Sequence, residues 1–199
     1  MNKKLVKDGY NQIAESYLQT RDQFKNLKYL EKFIKLLKPG SKILDLGCGA
    51  GKPIDEFLVK KGFRVIGLDI AEKQIGLAKK NVPEGEFYLQ DMSLLKKKEH
   101  QVDAIVSFYA VFHIPREKHQ DLFKIINSYL PKDGVILITM GSSCWEGEED
   151  DFHGAKMYWS HYDSGKNKEI IKNAGFEILF EEIDKNGGEK HQIVIGQKK

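Results

Sequence analysis

Cysteine is scarce in this chain: two occur in 199 residues, Cys48 and Cys144, and they do not form a C-x-x-C pair. Neither a disulfide framework nor a structural zinc site has enough ligands. Arginine is also scarce for a chain this rich in lysine, with only Arg21, Arg64 and Arg116. Arginine is the bidentate cation favoured for phosphate, and the net charge is only +3, so a nucleic-acid partner is not expected. No stretch approaches the ~18 consecutive apolar residues of a membrane span, and the charged segment 1–7 has no apolar run behind it. The expectation is a soluble cytoplasmic protein with no membrane partner, either monomer or homodimer. What is present is ordinary globular material, 41% hydrophobic with 18 glycines, at a length that predicts one domain.

The first forty residues read as two helices. Tyr10, Ile13, Ala14, Tyr17 and Leu18 share one face of the first, and Phe24, Leu27, Leu30, Phe33, Ile34 and Leu37 share a face of the second, which Pro39-Gly40 stops. From Lys42 the period changes. Short apolar runs at 43–46, 64–68, 86–89, 102–107 and 135–140 read as strands, with helices at 53–61, 72–80 and 116–130 between them. Strands alternating with crossover helices, several of them near-continuous apolar runs, predict an α/β fold with a parallel sheet covered on both faces. Segment 141–165, aromatic and acidic, reads as an inserted lid or loop. A helix at 166–174 and strands at 176–183 and 192–195, joined by a turn at Asn186-Gly187-Gly188, predict a closing antiparallel hairpin.

The first strand runs into Gly47-Cys48-Gly49-Ala50-Gly51. In an open parallel sheet ligands bind beyond the carboxyl ends of the strands, where a glycine turn lets a ligand approach backbone N–H groups at a helix start. Tight turns of any kind favour glycine, so the turn alone decides little. Asp69, ending the next strand, is placed to accept from both hydroxyls of a ribose, or else to cap the helix that starts near Glu72. Together the two features point to an adenosine-type cofactor.

The stretch Ile43-Leu44-Asp45-Leu46-Gly47-Cys48-Gly49-Ala50-Gly51 resembles the first motif of class I S-adenosylmethionine-dependent methyltransferases, and its G-x-G-x-G differs from the dinucleotide G-x-G-x-x-G. Gly67-Leu68-Asp69-Ile70, Gln90-Asp91-Met92 and 102–107 resemble that family's ribose, adenine and fourth-strand motifs in order. The resemblance implies a Rossmann-like, doubly wound, seven-stranded, mostly parallel sheet and S-adenosyl-L-methionine as cofactor. It implies that Gly47, Cys48, Gly49 and Ala50 meet the methionine part and that Asp45 orients the turn or the ammonium. Asp69 would hold the ribose, Ile70 and Met92 the adenine faces, and Asp91 the adenine amino group, with Ser107 beneath the methionine end. Residues 10–17 are similar to the helical cover of small-molecule methyltransferases, which places Tyr17 over the cofactor; Tyr10 itself reads as a core aromatic. Lys52-Pro53 departs from the more usual polar pair after the turn.

The resemblance thus implies one methyltransferase domain over 1–199, with 1–40 as helical cover and 141–165 over the acceptor site. The expected reaction is methyl transfer to an N, O or S atom of a small molecule. Methylation of a protein or RNA group, and a non-catalytic cofactor-binding role, stay open as alternatives. Ser107-Phe108-Tyr109-Ala110 departs from the N-P-P-Y tetrapeptide of enzymes that methylate nucleobase amines, and neither cysteine is placed for cytosine-C5 chemistry. His113 and His161 are the candidate bases, because imidazole titrates near neutrality. Each also reads as a structural residue, His113 at the helix entry before Pro115 and His161 as a packed or capping group. Tyr109, His113, Trp145, Glu146, Tyr158 and Trp159 are the candidate acceptor contacts, with the acidic run 146–151 at the pocket mouth. No metal is expected, since Asp150, Asp151 and His153 lack ligand spacing.

Overall fold

The computed structural model describes residues 2–20, 26–186 and 189–199. Phe24 and the Gly187-Gly188 part of the expected turn lie outside them. The elements are α1 (Asn2–Thr20), α2 (Leu27–Ile34), β1 (Lys42–Leu46), α3 (Ile54–Lys60), β2 (Arg64–Asp69), α4 (Glu72–Asn81) and β3 (Glu86–Leu89). There follow β4 (Ala104–Ser107), α5 (His119–Asn127), β5 (Val135–Gly141), β6 (Trp145–Phe152), β7 (Ala155–His161), α6 (Ser164–Asn173), β8 (Phe176–Asp184) and β9 (His191–Lys198).

Seven strands form one sheet in the order β3-β2-β1-β4-β5-β9-β8. Pairings from β3 through β5 are parallel, and β9 runs antiparallel to both β5 and β8. The period of two explains why the sheet is buried on both sides. Along β1, Leu44 and Leu46 join Ile66, Leu68, Ile105 and Ile136 under α5 and α6, whose Phe123, Ile126 and Ile171 complete that layer. Ile43, one residue out of phase, joins Val65, Val106, Leu137 and Ile195 on the opposite face, beneath Tyr29 and Phe33 of α2 and Leu58 of α3. Each large side chain so buried contributes about 1.5–3 kcal/mol.

Two expectations change. The helix expected over 116–130 begins as a 3₁₀ turn at Arg116–Lys118, where Lys118 N donates to the Pro115 carbonyl at 2.9 Å, and α5 proper is shorter. The segment read as a lid or loop over 141–165 is an antiparallel hairpin, β6 with β7, standing as a separate two-stranded sheet. Its Ala155, Met157 and Tyr158 form an apolar cluster with Val6 and Ile13 of α1. Gly9 permits that approach, because a Cβ there would lie 2.9 Å from the Lys156 carbonyl oxygen.

Candidate active site

Strand order reverses between β1 and β4, and the chain leaves both strands on the edge where ligands bind in open α/β sheets. After β1 the turn is pinned to β2: Gly47 N and Cys48 N both donate to the Leu68 carbonyl, at 2.8 and 3.0 Å. Gly49 N donates to Asp69 Oδ2 at 2.9 Å. The expectation that these N–H groups face a ligand is therefore corrected, since the fold itself uses all three. The turn offers closeness instead. Gly47 has φ +81°, and a Cβ on it would lie 2.3 Å from the Ala110 Cβ, so the segment after β4 presses directly on the turn.

Asp69 is held from both sides. Besides the bond from Gly49, its Oδ1 accepts from Ala71 N at 2.9 Å, so the carboxylate both fixes the turn and leads the chain into α4. Burial pushes its pKa up to about 6, and the N–H bonds from Ala71 and Gly49 oppose that rise. A carboxylate kept ionised at neutral pH in a costly place, with oriented oxygens on a cavity wall, is the signature of a binding group.

The cavity encloses about 850 Å³, its open mouth included. Its wall includes Gly47, Gly49 and Ala50 with Asp69, Ile70, Asp91 and Met92, and also Tyr10, Tyr17, Phe108, Tyr109 and His113. Asp91 Oδ1 accepts from Ser93 N at 2.8 Å, and its Oδ2 receives Lys3 from α1 at 3.3 Å. Tyr109 sits at φ +56°, a left-handed conformation uncommon for a bulky side chain, and its hydroxyl donates to Asn26 Oδ1 at 3.1 Å.

The structure brings into this wall Tyr17, Gly47, Gly49, Ala50, Asp69, Ile70, Asp91, Met92, Tyr109 and His113 of the expected site residues. It places the others elsewhere. Asp45 is buried under the turn beside Asp55 of α3, whose carboxyl is pushed well above its ordinary range by burial and by Asp45. The Cys48 side chain points behind the turn into a cluster with Ile75, Ala78, Val82 and Phe87, leaving only its backbone near the cavity. The Ser107 hydroxyl donates to the Leu46 carbonyl at 2.7 Å and ties β4 to β1.

The hairpin residues are corrected as a group, because their side chains hold the hairpin together. Trp145 is 43% exposed against His161. Glu146 pairs with Arg116 at 3.2 Å and accepts from the Tyr158 hydroxyl. The Trp159 indole donates to Glu149 at 3.0 Å. His161 lies against the Ser143 carbonyl. The acidic run is likewise off the wall, with Glu148 and Asp150 both paired to Lys156.

Tyr10 is the residue that sequence reasoning misassigned. It shares a helix face with Val6, Ile13 and Tyr17, which is why it reads as core, but α1 lies over the sheet edge and Tyr10 lines the cavity. Lys3, Leu18, Gln74 and Gln90 also line it unforeseen. His113 is buried, its Nε2 lies 2.8 Å from the Tyr10 hydroxyl, and its Nδ1 lies 2.8 Å from the Tyr158 carbonyl. A carbonyl only accepts, so Nδ1 carries the proton. Burial lowers the His113 pKa to about 4, against the opposing bond to Tyr158, so the ring is neutral at pH 7 and its bare Nε2 accepts from Tyr10.

Comparison with known proteins agrees with this geometry. Residues 43–134 match the family described as Methyltransferase domain. Cyclopropane mycolic acid synthase MmaA2 of Mycobacterium tuberculosis is 32% identical over 105 residues, which are 51% of this chain and 37% of the synthase, so the match spans well under half of that relative's length. Magnesium protoporphyrin IX methyltransferase from Synechocystis superposes with a TM-score of 0.76 at 17% identity, covering 100% of both chains. The 1,6-didemethyltoxoflavin-N1-methyltransferase of Burkholderia thailandensis, with 1,6-didemethyltoxoflavin and S-adenosylhomocysteine bound, gives 0.72 at 14% identity over 96% of this chain and 84% of its own. The strand order and the superpositions show that this chain shares the fold of these methyltransferases, and its segment 43–134 matches the methyltransferase domain.

Proposed function

We propose that this protein transfers a methyl group from S-adenosylmethionine to a small-molecule acceptor held beside Tyr10 and His113. The observation that carries the reading is one cavity lined both by the Asp69 carboxylate and by the aromatic residues Tyr10, Tyr17, Phe108 and Tyr109. The residues fit the methyl donor. Asp69 presents fixed oxygens that retain acceptor capacity for the two ribose hydroxyls, Ile70 and Met92 supply apolar faces for adenine, and Asp91 accepts from its amino group. Gly47 and Gly49 lie on the cavity wall, where the methionine part would run.

When bound, S-adenosylmethionine supplies an electrophilic methyl on a sulfonium. The chain's own task is alignment and exclusion of water. Helix α1 does much of this, because it lays Val6, Tyr10, Tyr17 and Leu18 along the cavity. Two structural neighbours are named for small-molecule acceptors, a porphyrin and a toxoflavin precursor, which supports the same class here.

Titration calorimetry with S-adenosylhomocysteine tests the reading. Wild-type protein binds it, and Asp69→Ala weakens binding by at least tenfold, since hydrogen bonds to a charged group contribute about 1.5–3 kcal/mol each. Equal affinity in both proteins, or no binding to the folded wild type, overturns it.

A further inference from the structure

The glycine turn is held from β2 and from α4. Gly47 N and Cys48 N donate to the Leu68 carbonyl, Gly49 N donates to Asp69, and Asn81 Nδ2 donates to the Ala50 carbonyl at 2.9 Å. Toward α3, which carries the chain away from the turn, the contact is of another kind. Asp45 of β1, just before Gly47, and Asp55 of α3, shortly after Gly51, meet behind the turn, 2% and 0% exposed.

A carboxylate in the first turn of a helix is ordinarily ionised, because unpaired N–H groups and the helix dipole favour negative charge there. Asp55 lacks that help. Both its oxygens are buried, and among the described residues no N–H or O–H group donates to either. Lys52, the cation next to it in sequence, is paired with Glu56 at 3.5 Å. An ionised carboxylate so placed costs several kcal/mol with nothing to offset it. The group that does face Asp55 is a second acid, Asp45, and two buried carboxyls in contact do not both ionise. The Cys48 thiol adds no charge, since burial and then Asp55, Asp69 and Asp45 push its pKa up.

Resting on the methyl-donor reading of the cavity, we propose that Asp55 is a positioning residue of the S-adenosylmethionine site, a neutral acid whose O–H donates to the Asp45 carboxylate and ties the start of α3 to the end of β1 behind the glycine turn. With both flanks of the turn fixed, Gly47, Gly49 and Ala50 keep their place on the cavity wall. Burial first, and Asp45 after it, raise the Asp55 pKa, which agrees with the neutral form. An amide donates the same bond with no proton to lose, so Asp55→Asn separates the bond from the titration.

The test uses the whole chain. Infrared spectra at pH 7 show the carbonyl stretch of a protonated carboxyl in the wild type that Asp55→Asn removes. Because the Asp55 pKa is higher in the folded chain than in the unfolded one, the stability its proton contributes is full below about pH 4 and is lost as pH rises through the folded value. Between pH 5 and pH 7 the unfolding constant in urea therefore rises about tenfold per pH unit in the wild type relative to Asp55→Asn, and Asp69, present in both, cancels. Calorimetry with S-adenosylhomocysteine at pH 7 gives Asp55→Asn an affinity close to that of the wild type. Asp55→Leu, checked for folding by circular dichroism, binds about tenfold more weakly, as the loss of one hydrogen bond to a charged group predicts. At an alkaline pH where the infrared band has gone, the wild type binds more weakly than Asp55→Asn by a similar factor, a comparison that needs no destabilised variant.

A spectrum unchanged by Asp55→Asn, equal pH slopes, or Asp55→Asn binding as poorly as Asp55→Leu each overturn the proposal. If folded Asp55→Leu binds like the wild type, or if loss of the band leaves affinity untouched, the positioning role falls and the methyl-donor site stands. If the wild type does not bind S-adenosylhomocysteine, both fall.

Discussion

Asp69 carries its charge at a cost, and the cost shows where it acts. Its ordinary value is 3.8 and burial raises it to about 6, which makes the ionised form roughly 2–3 kcal/mol less favourable in the folded chain than in the unfolded one. Because the folded value is the higher, the stability that protonation contributes is present below pH 4 and lost as pH rises through about 6. A ligand that donates hydroxyls to the carboxylate needs the ionised form. Between pH 8 and pH 5 the affinity for S-adenosylhomocysteine should therefore fall about tenfold, with the midpoint near 6, as calorimetry across that range would show. A flat profile down to pH 5 would mean that the carboxylate is not the ribose acceptor. Asp69 was legible before folding because its position follows from local rules: it ends a strand, and a glycine turn stands about twenty residues earlier. Tyr10 was not, because its place on the cavity wall depends on where α1 comes to rest, beside His113 more than a hundred residues away.

Helix α1 and the β6-β7 hairpin form a unit of their own. Met157 is fully buried between them, next to Gly9, and with Val6, Ile13 and Tyr158 it forms a small apolar cluster apart from the two sheet cores. Met157→Ala should cost about 2–5 kcal/mol at that contact. Since α1 reaches α4 mainly through exposed polar links, Asn11 to Glu72 and Lys7 to Glu72, the loss should be local. Hydrogen exchange would show faster exchange in 2–20 and in 145–161, with β1, β4 and β5 unchanged, and weaker binding of S-adenosylhomocysteine. Equal acceleration across the sheet would mean that the unit is not separate. The hairpin escaped the sequence because β6 offers no alternation to read: Glu146, Glu148, Glu149, Asp150 and Asp151 are all exposed, and the buried apolar residues come from β7, with Phe152 beside them. Its aromatic residues suggested a pocket lining, whereas Trp145, Tyr158 and Trp159 spend their polar atoms and ring faces within the hairpin and on His113 and His161.

At the scale of the whole molecule, the sheet was readable because its strands are buried on both faces, which forces continuous apolar runs, and because glycine and proline punctuate them. The cavity was readable in its sheet half for the same reason, and on α1 at Tyr17 but not at Tyr10. That division sets what ligand binding does to the protein. Among the described residues the cavity wall is drawn from α1 and from the segments after β1, β2, β3 and β4, up to Ile114, and α5, α6, β8 and β9 supply none of it. A ligand that fills the cavity ties α1 to the sheet and leaves the far edge as it was. At a concentration one hundred times its Kd, S-adenosylhomocysteine should add about 2.7 kcal/mol to global stability and raise Tm by roughly 5–10 °C. Against that uniform background, local opening should be suppressed most in α1 and in 108–114, and least in 176–184 and 191–198. Thermal melts paired with hydrogen exchange measure both. The rise in Tm should largely vanish in Asp69→Ala at the same ligand concentration. A rise that persists there, or protection as strong at β8 as at α1, would show that the ligand stabilises the chain from somewhere other than this cavity.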